Sequence, residues 1–462
     1  MGYKFIMVCI LTFISCYVSA QVEDDMDMSI EGLEDISVIP DSLFEVNAPI
    51  VHKYYLGNGL RFSSPDGNYM MNLTGYVQST FLTQTYSGDD DLYSRWRVRR
   101  ARIRLNGYAM KDRIRYRIGI DMVKGSESSG DTDSGDMLMD AWVAYRPWGN
   151  SRLSITFGQR STMTDNRENF MSSSSLQLSE RSRLASIFGT IREVGVFAQG
   201  SYKVGAEAYL RPALAITDGD GGFTFGKRYG GLKYGARVNY YPFGLFRDGG
   251  DYYLGDKAYE VSPKLSLGAS YSYNDGTSDR RGGNSSGDIL YLNEAGNVDL
   301  PDFARTNLDF FFKYRGWNFM AEYTKTWAYV PSTITSRVRA DGSTSDSFEI
   351  DGEQNIENYI KNRLILGSAF NLQGGYLFRN FWTVDARYTH IIPDKYSYLN
   401  NDLYYKRNDI FEFSVAKYLT NDYSTKIQLT ASFYKTDGEV RYANGTFSGY
   451  ETLFNVLTQI SF

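Results

Sequence analysis

From residue 72 onward, apolar and polar residues alternate with a period of two over much of the chain. In the run 113–122, for example, Ile114, Ile118 and Ile120 alternate with Arg115 and Gly119. Successive side chains of a strand point to opposite faces, so this period predicts strands with one apolar and one polar face. We predict sixteen strands, at 72–85, 95–110, 113–122, 137–146, 151–159, 193–200, 203–216, 229–242, 262–273, 306–315, 317–327, 364–378, 381–390, 409–419, 424–435 and 450–462.

The connections between these strands alternate in length. Long polar loops (86–94, 123–136, 160–192, 217–228, 274–305, 328–363, 391–408, 436–449) take turns with tight links such as Lys111-Asp112 and Arg379-Asn380. The segment 243–261 falls where a tight link is expected and is too long for one. Outer-membrane barrels have long loops at the extracellular end and short turns at the periplasmic end, so their connections alternate in length. A soluble β-sandwich has no reason to show this alternation. We therefore predict an all-β fold, a transmembrane antiparallel β-barrel of about sixteen strands at residues 72–462.

The N-terminal part has the pattern of an export signal. Lys4, an apolar run at 5–18 and a small-residue site ending at Ala20 predict a secretory signal peptide at residues 1–20, with a lipoprotein signal at Cys16 as the alternative. Residues 21–71 are predicted to form a periplasmic N-terminal arm and a short hairpin. The net charge of −5 argues against a nucleic-acid partner.

Few residues are available for catalysis. The chain has two histidines, His52 and His390, and its two cysteines both lie in the predicted leader. Activation of a nucleophile or of water generally needs a histidine with a suitable partner, and no such motif surrounds either one. A Gly-rich phosphate loop and a His/Cys cluster for zinc are also missing from the sequence. We therefore predict that the protein is not an enzyme and has no metal or cofactor.

Arginine is concentrated in one predicted hairpin, residues 95–122. If Lys111-Asp112 is a two-residue turn, positions whose numbers sum to 223 face each other. An arginine at mid-depth on the lipid face would cost ~2–4 kcal/mol, so the isoleucines of this hairpin face lipid. The same register directs six arginines into the lumen: Arg100, Arg102, Arg104, Arg113, Arg115 and Arg117. Three arginines of the other parity, Arg95, Arg97 and Arg99, are predicted at the outer rim or beyond the bilayer.

A row of guanidinium groups along a pore raises the local potential and attracts anions. Guanidinium also matches phosphate through paired N–H donors. The hairpin therefore predicts a pore-lining anion ladder. A structural interpretation stays open, because the register sets Arg102 opposite Asp121 and this pair can serve as a salt bridge of the wall.

The arginine-rich strand resembles the second strand of the phosphate-selective porin O and P family. The similarity rests on 99–105 (RRARIRL) with Gly107, on Gly59-Leu60-Arg61-Phe62, Asp66-Gly67, Asp140-Ala141-Trp142, Phe157-Gly158-Gln159, Ser179-Glu180-Arg181-Ser182 and 191–196 (IREVGV), and on Ala236-Arg237-Val238 with Tyr241-Pro242-Phe243. These segments occur in the family's order between about residues 56 and 245.

This resemblance implies a homotrimeric porin in the outer membrane of a Gram-negative bacterium, in contact with lipid and lipopolysaccharide. It also implies that the third long loop, 160–192, folds inward and narrows the pore. Four arginines lie in that range and are candidates for the constriction: Arg160, Arg167, Arg181 and Arg183. Characterised members have a lysine at the constriction, and this loop contains none.

The sequence thus predicts a porin for passive diffusion of small hydrated solutes, selective for anions and with phosphate-like anions as candidates. The alternative is a surface receptor, an adhesin or a structural barrel without pore function. The loops at 274–305 and 328–363 are long enough to bind a partner, which keeps that alternative open.

Overall fold

Sixteen strands pair into one closed antiparallel barrel in the computed structural model. The structure describes residues 51–55, 57–123, 137–190, 192–219, 229–277, 290–339, 341–401, 406–442 and 445–462. The predicted signal peptide and the first part of the predicted arm lie outside these residues, as do parts of several predicted long loops.

The strands are β1 (Val51–Tyr55), β2 (Gly59–Ser63), β3 (Met70–Tyr86), β4 (Tyr93–Ala109), β5 (Ile114–Asp121), β6 (Leu138–Tyr145), β7 (Ser154–Ser161), β8 (Arg192–Gln199), β9 (Tyr202–Lys203), β10 (Tyr209–Thr217), β11 (Lys233–Tyr241), β12 (Lys264–Asn274), β13 (Tyr291–Asn293), β14 (Asp302–Tyr314), β15 (Trp317–Tyr329), β16 (Ile334–Val338), β17 (Thr344–Ser345), β18 (Glu349–Ile350), β19 (Glu353–Gln354), β20 (Gly367–Leu377), β21 (Trp382–Pro393), β22 (Asp409–Tyr418), β23 (Lys426–Tyr442) and β24 (Gly445–Ser461). The α-helices are α1 (Arg183–Phe188) and α2 (Ile356–Lys361), and short 3₁₀ segments lie at Arg167–Phe170, Ser173–Ser175, Arg247–Tyr252 and Tyr398–Asn400. Within the described ranges no helix combines the length and the apolar character needed to cross a membrane.

The barrel order is β3-β4-β5-β6-β7-β8-β10-β11-β12-β14-β15-β20-β21-β22-β23-β24, and β24 returns to β3 with Ile460 opposite Val77. Each of the sixteen predicted strands overlaps one of these, so the predicted fold class is confirmed. Alternation explains the two faces. On β22, Phe411, Phe413 and Val415 are exposed on the outside, whereas the intervening Glu412 and Ser414 are buried toward the lumen.

Three predicted loops contain more structure than expected. The prediction of a loop at 436–449 was wrong, because β23 and β24 continue as a hairpin through most of it. Tyr442 of this extension stacks on Tyr86 and Phe447 packs on it at a tilt, with ring centroids 4.4 and 4.7 Å away, and these contacts stabilise the extension. The loops predicted at 274–305 and 328–363 contain β13, β16 and β17 in a small sheet, with β18, β19 and α2 beside it. A separate apolar cluster that includes Phe348 and Ile360 supports them.

The third long loop, described over residues 162–190, crosses the interior of the barrel. The Oγ of Ser173 lies 2.8 Å from the Tyr76 hydroxyl on β3. On β14, the carboxylate of Asp309 accepts a hydrogen bond from Nε of Arg167 at 2.6 Å. Since β3 and β14 belong to distant parts of the wall, the loop spans the lumen between them.

The segment 243–261, which was too long for a tight link, also enters the lumen, from the opposite end. We call it the inserted segment. The buried ammonium of Lys313 on β14 donates to its carbonyl oxygens at Gly250, Tyr253 and Gly255, over 2.9, 2.8 and 3.0 Å. The inserted segment also meets the third loop, where the carbonyl of Tyr252 accepts a hydrogen bond from the Ser172 amide. Loops from the two ends of the barrel therefore touch inside it.

Lys313→Met should loosen the inserted segment. The change removes the donor for three buried carbonyl groups, and each unsatisfied group costs ~1–3 kcal/mol. We expect trypsin to cleave the folded barrel after Arg247 or Lys257 about tenfold faster than in the unaltered protein. The matched control is Lys417→Met, because the Lys417 ammonium binds a carbonyl of a different turn, at Asn380. Equal cleavage rates in the two variants would contradict this account.

Candidate functional site

A cavity of about 650 Å³ lies inside the barrel, bounded by the wall from β4 to β11, the third loop and the inserted segment. Its acidic lining residues are Asp140 and Asp251, and no lysine is found among the described residues that line it. Nine arginines line it: Arg102, Arg104, Arg115, Arg117, Arg146, Arg160, Arg181, Arg192 and Arg211. The cavity wall is therefore strongly cationic.

The predicted register of the arginine hairpin is confirmed. Ala109 faces Ile114 and Arg102 faces Asp121, as a sum of 223 requires. Nε of Arg102 donates to the Asp121 carboxylate at 2.7 Å. The salt bridge that the sequence left open is thus present, and it uses part of the donor capacity of Arg102.

The six predicted ladder residues are divided between different surroundings. Four of them, Arg102, Arg104, Arg115 and Arg117, line the cavity. The Arg115 guanidinium also forms an ion pair with Asp112 in the turn. Arg100 is fully buried beneath the third loop, and Arg113 is exposed at the turn, so neither belongs to the cavity lining.

A bulge in β4 overturns the prediction for two of the other arginines. Gln78 on β3 faces Arg100, but the next residue, Ser79, faces Val98, so Arg99 is the extra residue. In the part of β4 that precedes Arg99, the odd-numbered residues therefore face the lumen, whereas after it the even-numbered residues do so. Arg97 and Arg99 were predicted at the outer rim or beyond the bilayer, yet both contact a carboxylate of the third loop. Sequence alternation alone cannot show a bulge.

That carboxylate is Glu180, which forms ion pairs with three guanidinium groups of β4. The Arg100 and Arg97 distances are 2.7 and 3.4 Å, and Arg99 forms the shortest contact. Burial alone would raise the pKa of Glu180, but the charges of Arg100 and Arg99 outweigh it and lower the pKa to about 2. Glu180 therefore carries its charge at any physiological pH and offsets part of the positive charge of the wall.

The four arginines expected at the constriction also separate. Arg160 lies on β7 rather than in the loop. Arg167 is buried and paired with Asp309, and Arg183 begins α1 outside the cavity lining. Arg181 donates to the carbonyl oxygens of Glu168 and Met171 and reaches the cavity. Only Arg160 and Arg181 of this set therefore line the cavity.

Sequence reasoning missed three lining arginines, Arg146, Arg192 and Arg211. They pair with carboxylates: Arg192 with Asp140 at 3.2 Å, Arg211 with Asp251 at 2.6 Å, and Arg146 with Asp112. Each lies apart from the arginine-rich hairpin in sequence. Arg146 reaches it through the pairing of β6 with β5, and Arg192 and Arg211 reach it through the curvature of the sheet, so no local signal could have found them.

Three lining arginines, Arg104, Arg117 and Arg160, form no ion pair with a carboxylate within the described parts of the chain. We call them the carboxylate-free arginines. Each lies over an aromatic ring. The Cζ of Arg104 is 5.9 Å from the Tyr76 ring centroid, and those of Arg117 and Arg160 are 5.4 and 5.6 Å from the Trp142 centroid. A ring holds a guanidinium group without neutralising its charge.

Residues 71–344 match the family model "Phosphate-selective porin O and P". The chain belongs to this family. It is a porin of the Gram-negative outer membrane, and its family and its fold are those of a channel. The family assignment favours the porin over the predicted alternative of a receptor or adhesin.

Solved porin structures resemble this porin over most of its length. The outer membrane channel DcaP of Acinetobacter baumannii is 13% identical, with a TM-score of 0.48, and the match covers 88% of this chain and 100% of that one. OmpF of Salmonella typhi, solved with daunomycin, is 12% identical, with a TM-score of 0.49, and the match covers 89% of this chain and 100% of that one. An anion-selective porin from Comamonas acidovorans is 11% identical, with a TM-score of 0.48, and the match covers 85% of this chain and 100% of that one. No curated protein sequence matches this porin.

Glu180→Gln should make the pore wall more positive. The change removes the negative charge that three arginines of β4 share, and it leaves their guanidinium groups in place. We expect the anion-over-cation permeability ratio, from reversal potentials under a salt gradient, to increase about two- to threefold. Glu357→Gln is the matched control, because Glu357 is exposed on α2 and pairs only with Lys361 among the described residues. A ratio that stays the same or falls would contradict the role given to Glu180.

Proposed function

We propose that this porin passes small hydrated anions down their gradient, and that the carboxylate-free arginines provide the selectivity. The observation that carries the proposal is the imbalance of the cavity lining, with nine arginines against two aspartates. Carboxylates pair directly with several of these arginines, but Arg104, Arg117 and Arg160 form no such ion pair within the described residues. A cationic constriction of this kind concentrates anions and repels cations.

Oxyanions such as phosphate are the class of solute that fits this lining best. A guanidinium group presents two parallel N–H donors, which match two oxygens of one phosphate or carboxylate. The name of the family points to the same class. Several closely spaced arginines also offer an anion successive weak sites, and conduction requires binding of this kind.

A homotrimer is part of the proposal, as the family resemblance implies. Each subunit has its own closed barrel and its own cavity. We therefore expect three equal conductance steps from one inserted particle in planar bilayers and a trimer mass in native mass spectrometry. A single conductance step for each particle, together with a monomer mass, would contradict the trimer.

Replacing the three carboxylate-free arginines together should abolish most of the anion preference. In a variant carrying Arg104→Ser, Arg117→Ser and Arg160→Ser, no described carboxylate loses an ion-pair partner. We expect the anion-over-cation permeability ratio to fall at least about fivefold, while the barrel still folds and conducts. Reversal potentials in planar bilayers measure the ratio, and heat-modifiable gel migration checks the fold.

The control removes three positive charges that lie outside the cavity. Arg61, Arg113 and Arg152 are exposed and do not line it, so Arg61→Ser, Arg113→Ser and Arg152→Ser together should leave the permeability ratio nearly unchanged. An unchanged ratio in the cavity variant, or an equal fall in both variants, would refute the proposed selectivity.

A further inference from the structure

Trp142 is a large aromatic side chain on the lumen face of β6. It has the same parity as Asp140 and Ala144, which are buried inside, whereas Val143 and Tyr145 are exposed outside. Membrane barrels place tryptophan at the lipid interface, where the ring packs against lipid headgroups. The lumen position of Trp142 therefore needs another explanation.

The sheet register sets Trp142 between two of the carboxylate-free arginines. Arg117 on β5 is its direct cross-strand partner. On the other side Gly158 of β7 is directly opposite, and Arg160 follows two residues later on the same face. Gly158 contributes no side chain there, so Arg160 can reach the indole diagonally. Both guanidinium carbons lie within 6 Å of the indole centroid, the range of a cation–π contact.

Further aromatic contacts hold the same arginines. The Arg160 guanidinium carbon also lies 5.5 Å from the ring centroid of Phe197 on β8, so two rings hold it. Its hydrogen bonds go to the Thr156 hydroxyl and the Ser161 carbonyl, at 3.2 and 3.3 Å. Both partners are neutral. Arg160 is thus fixed in place without losing charge.

Arg117 retains an unused donor. Its Nε is buried and has no hydrogen-bond partner among the described residues. A buried donor without an acceptor costs free energy. The other N–H groups of this guanidinium also donate no hydrogen bond within the described residues, so they are available to an anion at the cavity wall. Among the lining arginines paired with carboxylates, by contrast, the Arg102, Arg192 and Arg211 guanidinium groups already donate to Asp121, Asp140 and Asp251.

We infer that Trp142 is the positioning residue of an oxyanion subsite formed by Arg117 and Arg160. The indole packs against both guanidinium groups without accepting their N–H donors, so the Arg117 guanidinium and the Nη2 group of Arg160 remain for the oxygens of one tetrahedral anion. The inference rests on the proposed function and adds a separation of roles. The charges of the arginines set the preference for anions over cations, and the ring sets the affinity for an oxyanion relative to chloride.

The test measures the two properties separately in planar bilayers. Inorganic phosphate is titrated against a chloride current, which gives the half-blocking concentration, and reversal potentials in potassium chloride give the chloride-over-potassium ratio. For Trp142→Leu we expect the half-blocking phosphate concentration to increase about tenfold, which corresponds to the loss of two partly buried cation–π contacts. The chloride-over-potassium ratio should change less than about twofold, because both arginines keep their charge.

Conservative variants distinguish positioning from a general structural role. Trp142→Phe retains an aromatic face and should restore the half-blocking concentration to within about threefold of the original value. Arg117→Lys keeps the charge but loses the planar donors, so it should weaken phosphate block as Trp142→Leu does. Trp96→Leu is the matched control, since Trp96 is exposed on the outer face of β4. Heat-modifiable migration confirms that each barrel folds.

The outcomes are separable. If phosphate does not block the original protein, or if Trp142→Leu leaves the block unchanged, the inference is wrong. It is also wrong if Trp142→Phe is as impaired as Trp142→Leu, because an aromatic face would then be irrelevant. If the triple arginine variant loses its anion preference as expected but phosphate blocks Trp142→Leu as it blocks the original protein, the inference is wrong and the proposed function stands. If the triple arginine variant keeps its permeability ratio, the proposed function fails and the inference fails with it.

Discussion

Closure of the sheet between β3 and β24 is the constraint on which the rest of the structure depends. In a bilayer every backbone N–H and C=O group of the wall must find a partner inside the protein, and a closed antiparallel barrel provides one for each. Closure also fixes the parity of every strand, so that one face is apolar toward lipid and the other encloses a polar lumen. The lumen then collects many charged side chains in a small space, and their charges must be balanced there.

The two elements that enter the lumen take part in this balance. Asp309 of the wall accepts hydrogen bonds from both Arg167 of the third loop and Arg237 of β11. Asp251 of the inserted segment pairs with Arg211 of β10. These segments are therefore held by buried ion pairs and by backbone acceptors, and not by apolar packing alone. Removing one partner of a buried pair is costly, so the pore width depends on charges of the wall.

The sequence predicted the strands and the hairpin register because both follow from local information. Alternation reports which face a residue occupies, and the Lys111-Asp112 turn set the pairing of Arg102 with Asp121. The bulge at Arg99 was not predictable, because one inserted residue leaves the composition of the strand unchanged.

The cavity was only partly predictable for a different reason. Its arginine-rich hairpin is contiguous in sequence, whereas Arg192 and Arg211 come from later strands and join it only through the pairing and curvature of the sheet. The inward path of 243–261 depends on Lys313, more than fifty residues away, so its unusual length was the single visible sign. Similarly, the hairpin extension of β23 and β24 is stabilised by contacts with Tyr86, which lies far away in sequence, and 436–449 was therefore predicted as a long polar loop.

The number of arginines in a pore is a poor measure of its positive potential. Arg100 and Arg102 both carry guanidinium groups into the lumen, but Glu180 and Asp121 offset much of their charge. A guanidinium group held by an aromatic ring behaves differently, because the ring quadrupole attracts the cation and contributes no opposing charge. Such a group is fixed in position and still available to a solute. The placement of carboxylates and rings around the arginines therefore decides which of them act on a passing anion, and Trp142 favours Arg117 and Arg160.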